Sequence, residues 1–359
     1  MPDWTRGMTR TYEFWEVNPS TWGDTSLIDT VTGCTIVRDS DEDTLGHATF
    51  EMSAWSDEDG VWDSERVIRV YLVTIQEGVR ERFPLGTYMV QAPSLDFDGM
   101  RGSVTADGYT PLKELAGDFP PDYFHVDSGD AVAHAVRLMS TYAKMPVGAA
   151  GIEAALEEPY VSEEGEDWLS YCRGLLAKGK AVIELTGRGE AVITPDQDPR
   201  SLMPVRTFDD SNSSILMPEA SVASDAVDVP NVVRVVYSTG EGCLVSEVVN
   251  DSKSSPTSTV NAGRRKVLRE SSPELPDNPT QRDVDEYAKR LMHEKGSTSY
   301  ELTFSHGFVP DVDLRRAVRL NYSAMGVNAV AQVVSMTIEC TPACKVTTVA
   351  RYTKQEVVR

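Results

Sequence analysis

The sequence predicts an α+β chain, mainly β, organised as two small β-barrels with helical and mixed domains inserted between them. Three observations predict it. Runs of β-branched and aromatic residues, separated by polar turns, recur at near-regular spacing over both ends of the chain. The valine-rich stretch 227–251 is broken by Gly240–Glu241–Gly242 and then resumes, which is the pattern of a β-hairpin. Helical periodicity longer than one turn is confined to three segments well inside the chain.

Residues 1–108 read as the first barrel domain. Residues 12–17 alternate aromatic and polar side chains, and residues 33–38 form a short run ended by the acidic loop 39–43. Residues 48–52 alternate again, residues 66–75 give one long apolar strand, and residues 84–90 follow it after a charged turn. A last short strand is expected over 102–106.

Residues 109–195 read as a mixed helix and hairpin domain. Pro111 opens a single helical turn. Asp127 and Ser128 can cap a helix running to about residue 144, with Val132, Ala135, Met139 and Tyr142 on one face and Asp130 in its first turn. Ser162 can cap a second helix that carries Trp168, Leu169, Cys172, Leu175 and Leu176, and Gly179 is placed to stop it. Two short apolar runs, 181–185 and 191–193, flank Gly187-Arg188-Gly189 as a hairpin.

Residues 196–226, rich in Pro, Asp and Ser, read as a linker with short strands. Residues 227–359 read as the second barrel domain, with one helix at 280–296. Thr280 and Asp283 make a capping-box-like start. Val284, Tyr287, Ala288, Leu291 and Met292 point inward, and Gly296 stands just past the end. Before that helix, residues 253–278 are expected as a polar loop. Like the acidic loop 39–43, it is a segment expected to order on assembly. Four strand candidates close the chain: 300–304, 317–322, 329–339 and 346–352. There is a coarse parallel between the two β-rich ends, since each could close a small barrel.

Composition bounds the function. The 359 residues are 40% hydrophobic and 25% charged, a globular balance, and the length suits two to four small domains. The net charge is -22, and the longest basic cluster is Arg264-Arg265-Lys266. No basic stripe of the kind that clamps nucleic acid is visible. The acidity has two readings, which electrostatics alone does not separate: solubility, or a surface that repels a polyanion, such as the wall of a channel for DNA. Cys34, Cys172, Cys243, Cys340 and Cys344 are odd in number and scattered, against a disulfide framework. Cys340 and Cys344 are the only close pair, and His306 is the nearest histidine, too little for a zinc site. No apolar run approaches the roughly 20 residues of a membrane span. The N-terminal stretch lacks a signal-peptide core, so synthesis in a cytoplasm is expected.

Chemistry is sparse. No Gly-x-Ser-x-Gly elbow or His-Glu-x-x-His pair occurs, and His47, His125, His134, His293 and His306 are dispersed. Glu157-Glu158 and Glu163-Glu164 suit a solvated face and a helix start better than glycoside hydrolysis. Residues 186–189 lack the spacing of a phosphate loop. Five of the six tryptophans, Trp4, Trp15, Trp22, Trp55 and Trp62, lie in the first β-region, where barrel core and subunit contact are the expected roles; the sixth is Trp168. The expectation is a chain with no catalytic, cofactor-binding or metal site: not an enzyme, but a self-assembling structural part.

The order of pieces carries a resemblance. GCTIVRDSDEDTLGHATFEM, RVIRVYLVTI and PLGTYMVQAP lead to VTADGYTPLKELAGD. EDWLSYCRGLLAKGKAVIELTGRGEAVITP follows, then PNVVRVVY with SKSSPTST and the helix RDVDEYAKRLMHEKG. LRRAVRLNYS and VNAVAQVVSMTIECTPACKVTTVARY close the chain. In this order the chain resembles the baseplate hub or tail hub proteins of tailed phages, minor tail proteins of the tail tip. The resemblance covers nearly the whole chain and rests on the order of elements. It implies two tail-tube-like barrels per subunit, a homotrimer forming a pseudo-sixfold ring, and a place at the distal end of the tail in the virion. It implies as partners a distal tail or tail tube protein, a tape measure protein, and a tip or central fibre protein. DNA would pass through the channel without specific binding. At about 0.15 M salt the Debye length is roughly 8 Å, so acidic wall charges would still act on a passing duplex. Larger relatives carry lysin or receptor-binding domains after the hub, and none is expected after the last strand here. The alternatives are a tail-associated cell-wall hydrolase and the hub of a phage-derived contractile injection system.

Overall fold

The structure, a computed structural model, describes residues 2–52, 66–97, 102–211, 215–225, 229–239, 242–253, 255–271, 279–296 and 298–354. Trp55, Trp62, the Gly240-Glu241 break, Ser254 and residues 272–278 of the polar loop lie outside the described residues, as does the His293 side chain. The chain forms two compact units, Met1–Glu219 with Phe304–Val349, and Ala220–Thr303 with Ala350–Arg359. This differs from the contiguous domains expected. The 227–359 segment is divided between the units, because its last strands belong with the N-terminal β-region.

In the first unit, β1 (Thr9–Val17), β2 (Asp24–Ile28), β3 (Val31–Asp39), β4 (Gly46–Met52), β5 (Arg66–Gln76), β6 (Val79–Phe97) and β7 (Gly102–Tyr109) follow one another. They pair in the order β3-β4-β7-β6-β5-β1-β2. β5 is buried without a break from Val67 to Thr74, as a strand covered on both faces must be. One face, with Ile68 and Val70, shares the inner side with Phe14 and Tyr88 through the registers Phe14↔Val70 and Ile68↔Tyr88. Phe14 of β1 and Phe50 of β4 lie 6.3 Å apart, centre to centre, although three strands separate them in the sheet. Laid flat, those four strand steps would span roughly 19 Å. The sheet therefore curls until facing rings meet.

The mixed domain packs around α1 (Ala131–Tyr142) and α2 (Trp168–Lys178). Its strands are β8 (His125–Val126), β9 (Gly129–Asp130), β10 (Val147–Ala149), β11 (Ala155–Leu156), β12 (Tyr160–Val161), β13 (Ala181–Leu185) and β14 (Ala191–Pro195). β8 pairs with β12 and β9 with β11, while β10 adds in parallel to the β13/β14 hairpin. The caps lie nearer the helices than the sequence suggests. Asp130, not Asp127 or Ser128, accepts from the Val132 N–H at 3.0 Å; Asp167, not Ser162, accepts from the Ser170 N–H at 2.7 Å. Ser162 and the glutamates precede α2 instead. Both true caps are aspartates, whose short side chains reach the N2 or N3 amide only from the residue abutting the first turn. Gly179 ends α2 as expected. Leu115, Met139, Trp168, Leu175, Ile183 and Ile193 share the core.

Residues 196–226, expected as a linker with short strands, hold β15 (Pro204–Asp209) and β16 (Leu216–Asp225), both in the large sheet. The alternation in PVRTFD is short and contains proline, so composition hid a strand that is fixed by its partner: β15 lies parallel to β21 (Ala317–Tyr322), a hundred residues on. Before that comes the second unit. There β17 (Val232–Thr239) and β18 (Gly242–Val249) form the expected hairpin. After α3 (Thr259–Ala262), β19 (Val267–Glu270) adds parallel to β17. α4 (Gln281–Lys295) lays Val284, Ala288 and Met292 on Val233 and Val235. Its capping box is formed by Thr280 and Asp283, and Gly296 caps its end. Residues 255–270 are not an irregular loop. Asn231, fully buried, donates to the carbonyls of Thr257 and Arg264, and Asn250 donates to Ser255. A polar sequence here encodes a buried hydrogen-bond network.

β20 (Thr298–Gly307), β21, β22 (Val327–Glu339) and β23 (Lys345–Lys354) complete the large sheet. The C-terminal strands pair in the order β15-β21-β22-β23-β20-β16. The N-terminal order β1-β5-β6-β7-β4-β3 is the same path. Here too the sheet curls: Phe208 of β15 meets Phe304 of β20 at 5.3 Å across three intervening strands. β22 is shared. Residues 327–332 pair with β21 and residues 335–339 pair with β3, which joins both halves into one 13-stranded sheet among the described residues. Among the described residues the barrels expected do not close: the path runs from β2 to β16 without a pairing between its ends.

Candidate functional site

The most constrained polar site in the first unit is where the mixed domain meets β5 and β6. Arg69, 2% exposed, donates to Thr87 Oγ1 at 3.0 Å, Asp24 Oδ1 at 2.6 Å, the Trp22 carbonyl at 3.2 Å and the Arg188 carbonyl at 3.0 Å. Tyr71 donates to Asp24 Oδ2 at 2.8 Å, and Trp22 Nε1 donates to the Arg188 carbonyl at 2.8 Å. The turn that reaches in must be glycine on either side of Arg188. A Cβ on Gly187 would lie 2.1 Å from the Pro84 carbonyl oxygen, and one on Gly189 would lie 2.6 Å from Thr87 Cβ at a left-handed φ of 73°. Residues 186–189 are thus the expected hairpin turn. Their glycines serve close backbone approach, and Arg69 is a structural clamp with its donors spent on protein acceptors.

Beside it lies a cavity of about 290 Å³ whose lining includes Arg38, Tyr88, Glu184, Asp313 and Arg316. Its charges are matched. Arg38 meets Asp313 at 2.7 Å and donates to the Leu85 carbonyl at 2.5 Å, while Arg316 meets Glu184 at 3.3 Å. Burial works against the Arg38 charge, yet Asp313 holds its pKa above the ordinary value, and burial pushes the Tyr88 hydroxyl well up.

The remaining candidates are equally inert. Burial pushes the Cys172 thiol up to about 12 and the Cys344 thiol up to about 11, so both stay protonated at neutral pH. His306 is fully buried. Its Nδ1–H donates to the Gly307 carbonyl at 2.7 Å and its Nε2 accepts from the Thr348 hydroxyl at 2.9 Å. Burial lowers its pKa to about 4, so it is a neutral packed ring rather than a base. The other histidines lie on β4, β8, α1 and α4. Among the described residues no group of three His, Cys, Asp or Glu side chains is arranged to hold a metal ion, and no helix is long and apolar enough to cross a membrane. The acidic loop 39–43 is tied down: Arg173 donates to the Asp43 carboxylate at 3.1 Å and to its carbonyl at 2.5 Å. Trp4 and Trp168 are core, as expected for the first and against the bases or sugars they could have stacked on.

Apolar side chains are also exposed along the strand edges. β2 ends the large sheet with Leu27 53% exposed, and β16 ends it on the other side with Val222 40% exposed. In the second unit the edge strands β18 and β19 expose Val245 and Val267 at 45% and 52%. A sheet edge that carries apolar side chains is an association surface that a lone protein has reason to cover.

No family model and no curated protein sequence matches the chain. Solved structures do. The tail protein from Neisseria meningitidis MC58 matches with a TM-score of 0.65 at 14% identity, over 96% of this chain and 97% of that one. The 43 kDa tail protein of prophage MuSo2 from Shewanella oneidensis matches at 0.63 and 13% identity, over 95% and 98%. A chain of the Francisella PdpA–VgrG complex matches at 0.58 and 9% identity, over 98% of this chain and 60% of its own length. The chain therefore has the fold of phage tail proteins.

Proposed function

We propose that this chain is a non-enzymatic structural component of a phage tail: the hub that joins tail tube to tip as a homotrimeric ring around the DNA channel. The observation that supports it most is the end-to-end fold match to two tail proteins, one of them from a prophage, in which nearly the full length of each chain takes part. Two further features agree with it. The same strand path occurs twice in one chain, so three copies would present six similar curled sheets to a hexameric tube. The open edges at β2, β16, β18 and β19 are where subunits or tail partners would pair. Candidate partners are a distal tail or tail tube protein, a tape measure protein and a tip fibre protein, with the net charge of -22 repelling rather than gripping DNA.

The match to part of a chain in the PdpA–VgrG complex favours one second reading, the same hub in a phage-derived injection machine. Mass measurement of the native chain, followed by electron microscopy of particles carrying it, tests both. Three copies at the distal end of a tail are expected; a monomer, or density on the capsid, overturns the hub. A DNA-filled head on the particle selects phage over injection machine. A cell-wall cleavage assay that detects activity lost on mutating an acidic residue overturns the non-enzymatic role.

A further inference from the structure

The β3/β22 junction carries a feature that local sequence does not reveal. Cys34 lies in β3, Cys340 follows the last residue of β22, and both are free thiols. Glu339 is opposite Thr35, and the Cys340 N–H donates to the Cys34 carbonyl at 3.0 Å, so Cys340 is the residue facing Cys34. Facing residues of antiparallel strands put their side chains on one side of the sheet. A directly hydrogen-bonded antiparallel pair holds its Cα atoms about 5.5 Å apart, near the commonest disulfide separation of roughly 5.5–6 Å. Cys344, the sequence neighbour, is buried away from this register, and its N–H donates to the Thr341 carbonyl at 2.8 Å. Cys34 is 6% exposed and Cys340 is half-buried, so a small oxidant reaches Cys340 first.

We propose that Cys34 and Cys340 are a redox modification site, joined by a small disulfide oxidant of the oxidised-glutathione class into a cross-strand disulfide that staples the N-terminal half of the sheet to the C-terminal half. The Cys340 thiol loses its proton and attacks one sulfur of oxidised glutathione, forming a mixed disulfide and expelling one glutathione thiolate, which takes up a proton. The Cys34 thiol then loses its proton, attacks the Cys340 sulfur and expels the second glutathione thiolate. Two protein thiols are oxidised and one glutathione disulfide is reduced to two thiols. Cys34 alongside it, together with burial, holds the Cys340 thiol protonated, so the reaction is slow at neutral pH and quickens in alkali. A reducing cytoplasm keeps the pair open, and an oxidising exterior closes it. The bond would span most of the chain, where restriction of the unfolded state is largest. This inference does not depend on the tail function.

The full chain, purified under reduction, is incubated with oxidised glutathione, alkylated after unfolding and mapped without reduction. The expected result is one linked peptide pair, Cys34 with Cys340, a loss of two hydrogens from the intact mass, and a higher thermal midpoint that reductant reverses. Cys340→Ala and Cys34→Ala each abolish the link and the midpoint rise, while Cys344→Ala keeps both. Linkage of Cys340 to Cys344, linkage between chains through the exposed Cys243, or five thiols still alkylated after prolonged oxidation overturns the proposal. A folded Cys344→Ala protein that cannot form the link also overturns it.

Discussion

The N-terminal and C-terminal halves of the large sheet follow one strand path and close their curl in one way, with aromatic rings meeting across three strands. They differ in what they carry. The C-terminal half carries an entire folded unit between β16 and β20, where the N-terminal half makes only the turn from β3 to β4. Its first strand, β15, runs parallel to its neighbour, whereas β1 runs antiparallel to β5. The buried polar groups also differ, and they sit on strands that do not correspond: a charged clamp, Arg69, on β5 in the first half, and a neutral ring, His306, on β20 in the second. The path is thus common to both halves, while the polar groups buried in each differ.

That comparison can be broken most directly at the rings. Phe50→Ala and Phe208→Ala are each expected to lower unfolding stability by about 3–5 kcal/mol, read from chemical denaturation. If only one does, the two curls are not equivalent. Arg69→Ala is expected to cost about 3 kcal/mol, since it removes the buried guanidinium's bonds to Asp24, Thr87 and two part-buried carbonyls. The loss should show first in protection of β5 and β6 from hydrogen exchange. Slow exchange surviving there would demote the clamp.

Acid should separate the halves. The His306 pKa is about 4 in the fold against an ordinary value of about 6.5, so between those values the unfolded chain binds the extra proton. Its stabilising contribution is complete above pH 6.5 and is lost as pH falls towards 4, a change of about 3 kcal/mol. Midpoints recorded against pH should show this slope in the native chain and not in His306→Asn. The smallest effect belongs to the second unit. Thr280→Ala should cost about 1 kcal/mol, seen as faster exchange at the start of α4 with the large sheet unchanged.

Much of this was legible. Thr280, Asp283 and Gly296 announced α4 because capping is a contact among near neighbours in the chain. The β13/β14 hairpin and the closing strands announced themselves by period. What escaped depends on distant partners. PVRTFD is a strand only because β21 lies beside it. The Asn231 network looked like a loop because its polar groups are satisfied by residues up to 35 positions away. Arg69 looked like one charge in an apolar strand until Arg188, 119 positions on, supplied its acceptor. For the assembly surface, sequence offered composition alone, and the open edges came from the strand order.

The division of β22 between two partners has a cost in evolutionary freedom. Its first six residues are in register with β21 and its last five with β3. Adding or deleting one residue between Val333 and Ser335 would turn every later side chain to the opposite face. It would also move Cys340 away from Cys34. Length variants of this protein should therefore gather in its turns and spare the middle of that one strand.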